Sequence, residues 1–446
     1  VVAVRVVVNA IWLAENQAFV WKRDAEQRES DVGSRPVTVR ERRTRMGVNA
    51  LLLLVLSGLI SYFASDIRSR AQGTDFPDRY SAARMVLEGE GHRLYDFRVQ
   101  QQFQTRYAGR IGEYYIHPPF ETLLFLPLCL WPLPTAYLIW CSLNAGVLAC
   151  TAILFQRHIL KGLDWRVLLP LFFVFPPVLI SFLQGQDSLL LLLSMTLAVV
   201  ALRRRTNFAA GCWLACGLFK FHIVLVVFVL LLGFRKRGFL SGFSLVAVFL
   251  VLLSLAVSGW GVLAAYPRFL LTLSGLPLAN LHPAGMPNLR GLIDSSGLFE
   301  NAVFRLVAVA VASAALFWYA SSRFRREGTR LDDRASADPL NLAFGNFVLA
   351  AILLSYHLSP SDLSIALLPL ALFFEHRAEH SRISHWASLS VWITGGVLLL
   401  PPLHLLALST HQYVLLAIPL LILFLLSSSA SFAGGEPGRG GGQEFG

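Results

Sequence analysis

Asp75-Phe76-Pro77-Asp78-Arg79-Tyr80, then Gly91-His92-Arg93-Leu94-Tyr95-Asp96, then Tyr114-Tyr115-Ile116-His117-Pro118-Pro119-Phe120 form a polar, aromatic, carboxylate-bearing loop between strongly apolar segments. A loop of this length is generally functional. The contrast with its flanks decides the fold. Of 446 residues, 55% are hydrophobic and only 15% charged, and the mean hydropathy is +0.59. The apolar residues fall in runs of about 17 to 25, the length at which a helix crosses the hydrocarbon core of a bilayer. The sequence therefore reads as an all-α polytopic membrane protein, which excludes a soluble domain. The polar loop reads as its active-site loop.

The formal net charge of +11 does not point to nucleic acid, because Lys and Arg sit in short clusters between apolar runs, where they act as topology signals. The five cysteines, Cys129, Cys141, Cys150, Cys212 and Cys216, lie in apolar segments with no ligand-like spacing to His or acidic residues. They behave as small hydrophobes and imply neither a disulfide framework nor a metal site. No cofactor and no metal are expected: the chain has no nucleotide-binding domain with a glycine-rich phosphate turn, and no carboxylate cluster that demands a cation. Val1 to Leu13 is too short to span and lacks a cleavage-like sequence, so residues 1–46 read as a disordered cytoplasmic tail. The Gly-rich run at 428–446 reads as a flexible one.

Arg40, Arg42, Arg43 and Arg45 precede a first span at 47–64, which places the N-terminus in the cytoplasm and the loop 65–134 outside. Five prolines, Pro118, Pro119, Pro127, Pro132 and Pro134, break up the end of that loop, so 119–133 reads as a re-entrant piece that closes it against the membrane. Spans follow at 135–156, 167–183 and 188–202, the last two joined by Gln184-Gly185-Gln186-Asp187. Basic clusters flank both ends of 207–234, so that region reads as two short helices with an outer turn near Lys220. Spans at 239–258 and 303–320 enclose a second large external loop, 259–302. Four more spans lie at 339–356, after Asp362, at 384–400 and at 411–427. The count comes to about twelve, with both termini cytoplasmic and one transmembrane catalytic domain over 47–427.

This topology rests on hydropathy and basic residues alone, yet it places Asp75, Tyr80, His117, Gln186, Asp187, Lys220, His222, Asn288, Arg290, His357 and Asp362 on the outer side. Ionisable groups at membrane depth are costly and commonly functional. A carboxylate heading an external loop, with basic groups at span ends, suits attack by an acceptor hydroxyl on a lipid-phosphate-linked sugar. Asp75 would take the hydroxyl proton, while Lys220, Arg290 or His357 would neutralise the departing phosphate. Tyr80, Tyr95, Tyr114 and Tyr115 would stack on sugar faces or seat the loop at the interface. Each residue has a plainer alternative. Asp75 and Asp362 are plausible helix caps, Asp78 competes with Asp75, Lys220 could snorkel, His357 could be structural, and His117 could belong to a proline turn. A transporter or flippase of a lipid-linked saccharide is the main rival, but it calls for polar residues across the midplane and an internal repeat, and neither is evident.

Asp75-Phe76 with Tyr80, Ala82, Ala83 and Arg84, then Gly89 and Leu94-Tyr95-Asp96, resembles the first external loop of glycosyltransferase family 87. So does Tyr115-Ile116-His117-Pro118-Pro119-Phe120 with Ala136, Trp140 and Asn144. Further matches run through Gly185-Gln186, Gly211 with Lys220, Met286-Pro287-Asn288 with Gly291, and Ser355 with His357 and Asp362, covering about residues 48–427 in order. These are polyprenyl-phosphate-sugar-dependent enzymes of the GT-C superfamily, typified by mannosyltransferases of mycobacterial lipid glycan synthesis. The resemblance implies a GT-C-like bundle with interfacial helices in the first external loop and a bacterial plasma-membrane location. It implies an inverting sugar transfer, mannose being the best-known case, from a polyprenyl-phosphate donor to a lipid or glycan acceptor outside the cytoplasm. Asp75 would be the base, with Gln186, Asn288, Tyr80 and His117 joining Lys220, His357 and Arg290 around the donor; Asp78, Asp187, His222, Asp362 and Tyr115 are secondary candidates. The chain departs from the family pattern at Arg79-Tyr80, where tandem aromatics are expected, and at Asp187, where Asn is common.

Overall fold

The computed structural model describes residues 65–234, 237–272, 283–328, 338–379 and 385–429, with scattered positions between 46 and 62. Most of the first expected span, residues 1–45 and 430–446 of the two expected tails, and residues 273–282 of the second loop lie outside the described residues. Among the described residues every regular element is helical, and several of the helices are strongly apolar, as a membrane protein requires.

The Leu133–His158 helix shows how sequence sets placement. Its buried positions Leu133, Ala136, Tyr137, Trp140, Cys141, Asn144, Leu148, Thr151, Ala152 and Phe155 recur every three or four residues, a single stripe that faces the bundle. Leu138 and Leu143, on the other side, are exposed to the surroundings. Arg157 and His158 end it, where cations complement the negative helix terminus.

Three helices are long and apolar enough to cross a membrane, Leu133–His158, Arg237–Thr272 and Ala302–Ser322, and the number rises to six if each of three bent pairs counts as one span. The first bent pair, Trp165–Val174 and Pro176–Leu183, turns by 80° at Pro176-Pro177, where proline removes backbone donors and disfavours helix in the residue before it. The third, His385–Leu399 and Pro401–Thr410, turns by 48° at Pro401-Pro402. The straight span expected at 167–183 is thus a broken one, and the helix expected at 239–258 continues to Thr272 across a kink at Gly259 (φ 79°, ψ 168°). The expected loop 259–302 accordingly opens with helix and holds a second short one, Leu289–Ser295.

The middle bent pair, Asn207–Cys216 and Leu218–Leu231, bears on the site. Both of its halves touch the start of the Arg237–Thr272 helix. A Cβ on Gly242 would come within 2.0 Å of the Phe208 carbonyl oxygen, so the two backbones meet in the small-residue packing common between membrane helices. From the other half, Phe228 stacks on Phe243 with ring centroids 3.8 Å apart. Lys220 ends the short turn Leu218–Lys220 that opens the second half, just past the break.

The loop after residue 65 is folded. Its helices Phe76–Leu87 and Phe97–Ala108 enclose a small core of their own, Ala82, Met85, Leu94, Val99, Phe103 and Tyr115. Tyr95 stacks on Tyr266 and Phe269, at 5.0 and 4.5 Å between centroids, and Tyr266 donates to the Ile116 carbonyl at 2.9 Å. These contacts fasten the loop to the far end of the Arg237–Thr272 helix.

Candidate active site

The site begins with a turn held from one side. Gly185 adopts φ +66°, a left-handed conformation that side-chain-bearing residues rarely adopt. Three residues of one helical face fix the carbonyls around it: Tyr137 donates to Leu183 O, Trp140 Nε1 to Gly185 O at 2.9 Å, and Asn144 Nδ2 to Gln186 O at 3.1 Å. Gln186 and Asp187 are buried.

Arg79, on the Phe76–Leu87 helix, meets this turn. Its guanidinium is 1% exposed, and a charge so buried is tolerable only if paired. Nη1 lies 3.1 Å from Asp78 Oδ1, Nε 3.3 Å from Glu121 Oε1, and Nη2 3.8 Å from Asp187 Oδ1. Nη2 also donates to Gln186 Oε1 at 2.7 Å and lies 3.1 Å from His117 Nε2. Arginine only donates, so His117 Nε2 accepts, which leaves the ring proton on Nδ1, 3.1 Å from Glu121 Oε2. Burial and then the Arg79 charge push His117 well below its ordinary pKa, in keeping with a neutral ring.

Asp75 occupies the cap position of that helix but makes no side-chain capping bond. Its carboxylate Oδ2 instead accepts from Gln186 Nε2. Asp78, one turn on, is driven by burial up to about 7, against the pull of Arg79. Asp187 behaves oppositely: burial acts against its charge, yet Lys220 and Arg79 hold it below the usual carboxylate range. Glu121, in the short turn Pro119–Glu121, is raised well above its ordinary value by burial and then by the Asp187 charge.

A cavity of about 430 Å³ opens beside these groups. Asp75, Asp78, His117 and Gln186 line it together with Lys220, His222, Asp362, Arg290 and His357. Phe219, Phe221, Pro267, Leu270 and Leu271 give it an apolar wall. Lys220, 4% exposed, sits 3.2 Å from both Asp187 and Asp362, so it does not snorkel. Asp362 also accepts from Ser188 Oγ at 2.7 Å and from Ser359 N at 3.0 Å, so it caps its helix and pairs Lys220 at once. His222 Nδ1 lies 2.6 Å from Ser355 Oγ, which donates to His357 O at 2.6 Å. Arg290 reaches Asp294 at 3.3 Å and the Tyr356 carbonyl at 3.2 Å. Burial holds His357 down at about 4.

Four expected site residues do not line the cavity. Asp187 stands behind Lys220, wholly buried. Asn288 caps the Leu289–Ser295 helix through Gly291 N at 2.8 Å and donates to Ser355 O at 2.7 Å. Tyr80 donates to Trp131 O and Tyr115 to Pro118 O, each at 2.7 Å. Of the four loop tyrosines expected to meet a sugar, Tyr114 alone lines the cavity.

The reading from sequence overlooked Arg79 and Glu121. Glu121 carried a usable signal, since a lone carboxylate in an apolar stretch is a functional candidate. Together with His117 and Asp187 it forms a group whose ligand atoms lie within 4.8 Å of one another, a clustering that no spacing along the chain announces. Arg79 lies within 3.8 Å of all three, so a guanidinium already supplies the positive charge that a metal ion would bring there.

A family model described as Glycosyltransferase family 87 matches residues 115–338, half of the chain. His117, Gln186, Lys220 and Arg290 fall inside the matched segment; Asp75, Arg79, His357 and Asp362 fall outside it. No curated protein and no solved structure matches.

Proposed function

We propose, from the premise that the chain belongs to glycosyltransferase family 87 and is therefore a membrane glycosyltransferase, that it moves a sugar from a polyprenyl-phosphate donor to a lipid or glycan hydroxyl on the extracytoplasmic face. The observation that carries this reading is Asp75: a half-buried carboxylate on the cavity wall, free of the capping bond its position would allow. A base of this kind, within reach of a bound hydroxyl, contributes about 10²- to 10⁴-fold.

In the proposed step the acceptor oxygen attacks the anomeric carbon on the face opposite the phosphate. The new glycosidic C–O bond forms as the bond from that carbon to the phosphate oxygen breaks, and the sugar is inverted. Asp75 takes the hydroxyl proton and later passes it to water; polyprenyl phosphate leaves with the bonding electrons. Arg290 is better suited to the phosphate than Lys220, because Lys220 already neutralises two carboxylates and Arg290 only Asp294. The apolar wall from Phe219 to Leu271 suits the first prenyl units. A twelve-span arrangement with both termini cytoplasmic and a catalytic domain over 47–427 remains part of the proposal, as does mannose or another hexose or pentose as the sugar.

A comparison of lipid extracts and envelope glycans with and without the gene tests the reading. Loss of one glycosylated species together with accumulation of its unglycosylated acceptor is expected; unchanged glycans alongside altered transbilayer distribution of a lipid-linked saccharide would favour a flippase.

A further inference from the structure

The geometry points to Gln186, locked by Arg79, as the residue that positions Asp75, an inference that rests on the base role proposed above. The orientation of a glutamine amide is set by what surrounds it. Here one neighbour is a guanidinium, which only donates, and the other a carboxylate, which when ionised only accepts. The Arg79 bond at 2.7 Å therefore fixes Oε1 and leaves Nε2 no choice but to face Asp75 Oδ2. Both polar ends of the amide are thus engaged by protein.

Neither partner is free to drift. Arg79 is held by Asp78, Glu121 and His117, and the Gln186 backbone by Asn144, with Gly185 held by Trp140. A continuous set of contacts runs from the Leu133–His158 helix and from Glu121 to one oxygen of the carboxylate. No hydrogen bond to the other oxygen, Oδ1, is seen among the described residues, so that oxygen is the one left to take the proton. Gln186 acts through Asp75 and is a positioning residue, not a catalytic one.

The test is steady-state transfer by purified full-length protein in detergent, from a synthetic polyprenyl-phosphate sugar, across a pH series. Gln186→Glu sets a second carboxylate beside Asp75 and removes the N–H, so the acidic limb of the kcat profile should move up by about one pH unit. Gln186→Met keeps the size and removes both bonds; kcat should fall on the order of 10²-fold, with KM for the donor within about twofold, as misplacement of a reacting group predicts. A raised donor KM with kcat kept would make Gln186 a substrate ligand and overturn the proposal. So would an unmoved acidic limb together with an unchanged kcat. Asp75→Asn, assayed in parallel, separates the two ideas: an active Asp75→Asn protein defeats the base assignment, whereas an inactive one beside unaffected Gln186 variants defeats only the positioning role.

Discussion

Lys220 Nζ lies 3.2 Å from Asp362 Oδ1, and in doing so joins the bent pair Asn207–Cys216 and Leu218–Leu231 to the turn that leads into the Leu367–Glu379 helix. A second contact of the same length reaches Asp187. Removing the ammonium would leave buried Asp362 with only neutral donors, Ser188 and the Ser359 amide, and buried Asp187 with the more distant Arg79. Lys220→Met should cost about 3–5 kcal/mol, the usual penalty for stranding a buried charge. A melting temperature within a degree or two of the parent's in detergent would contradict this.

Asp75→Asn should reduce transfer by about 10²-fold or more and leave thermal stability near the parent's, because the side chain caps nothing. Purified enzyme with a radiolabelled donor measures it. Full activity would move the base to Asp78.

Arg290→Gln should weaken donor binding about 10- to 100-fold, the worth of a charge-assisted hydrogen bond to phosphate, with kcat less affected. The measurement is donor KM, or competition by polyprenyl phosphate. A reduced kcat at unchanged KM would place the phosphate elsewhere.

Asp78 makes stability depend on pH. Its carboxyl titrates near 7 in the folded protein, against 3.8 as the ordinary value, so between those values the folded state holds a proton that the unfolded state has lost. Stability from this group therefore falls as pH rises from about 4 to about 7, then levels off. In Asp78→Asn that fall disappears, and the melting temperature of the variant relative to the parent should rise across the same interval. A difference independent of pH would show that Asp78 is ionised throughout.

A cysteine at exposed His92, in the loop outside the bilayer on the proposed topology, should react in intact cells with a membrane-impermeant thiol reagent. Reaction only after permeabilisation would put the cavity on the cytoplasmic side.

Much of the bundle was legible because membrane helices announce themselves through hydropathy, and Leu133–His158 falls within two residues of its expected bounds. Departures came where proline bent an apolar run, as at Pro176, and where apolarity continued past a kink, as at Gly259. Hydropathy and basic residues set Asp75, Gln186, Lys220 and His357 on one expected side, and the four line one cavity. Arg79 was not legible in this way, because its partners Glu121 and Gln186 lie 42 and 107 residues away and no local pattern links them. Its third carboxylate partner, Asp187, is likewise distant in sequence and stands 3.8 Å away as an ion pair.

Arg79 also constrains how the protein can be made. Its partners are translated at widely separated times: Asp78 at once, His117 and Glu121 later, and Gln186 and Asp187 only after the Leu133–His158 helix is complete. The set of contacts that buries this cation is therefore complete only once the chain has been made as far as Asp187, about two-fifths of its length.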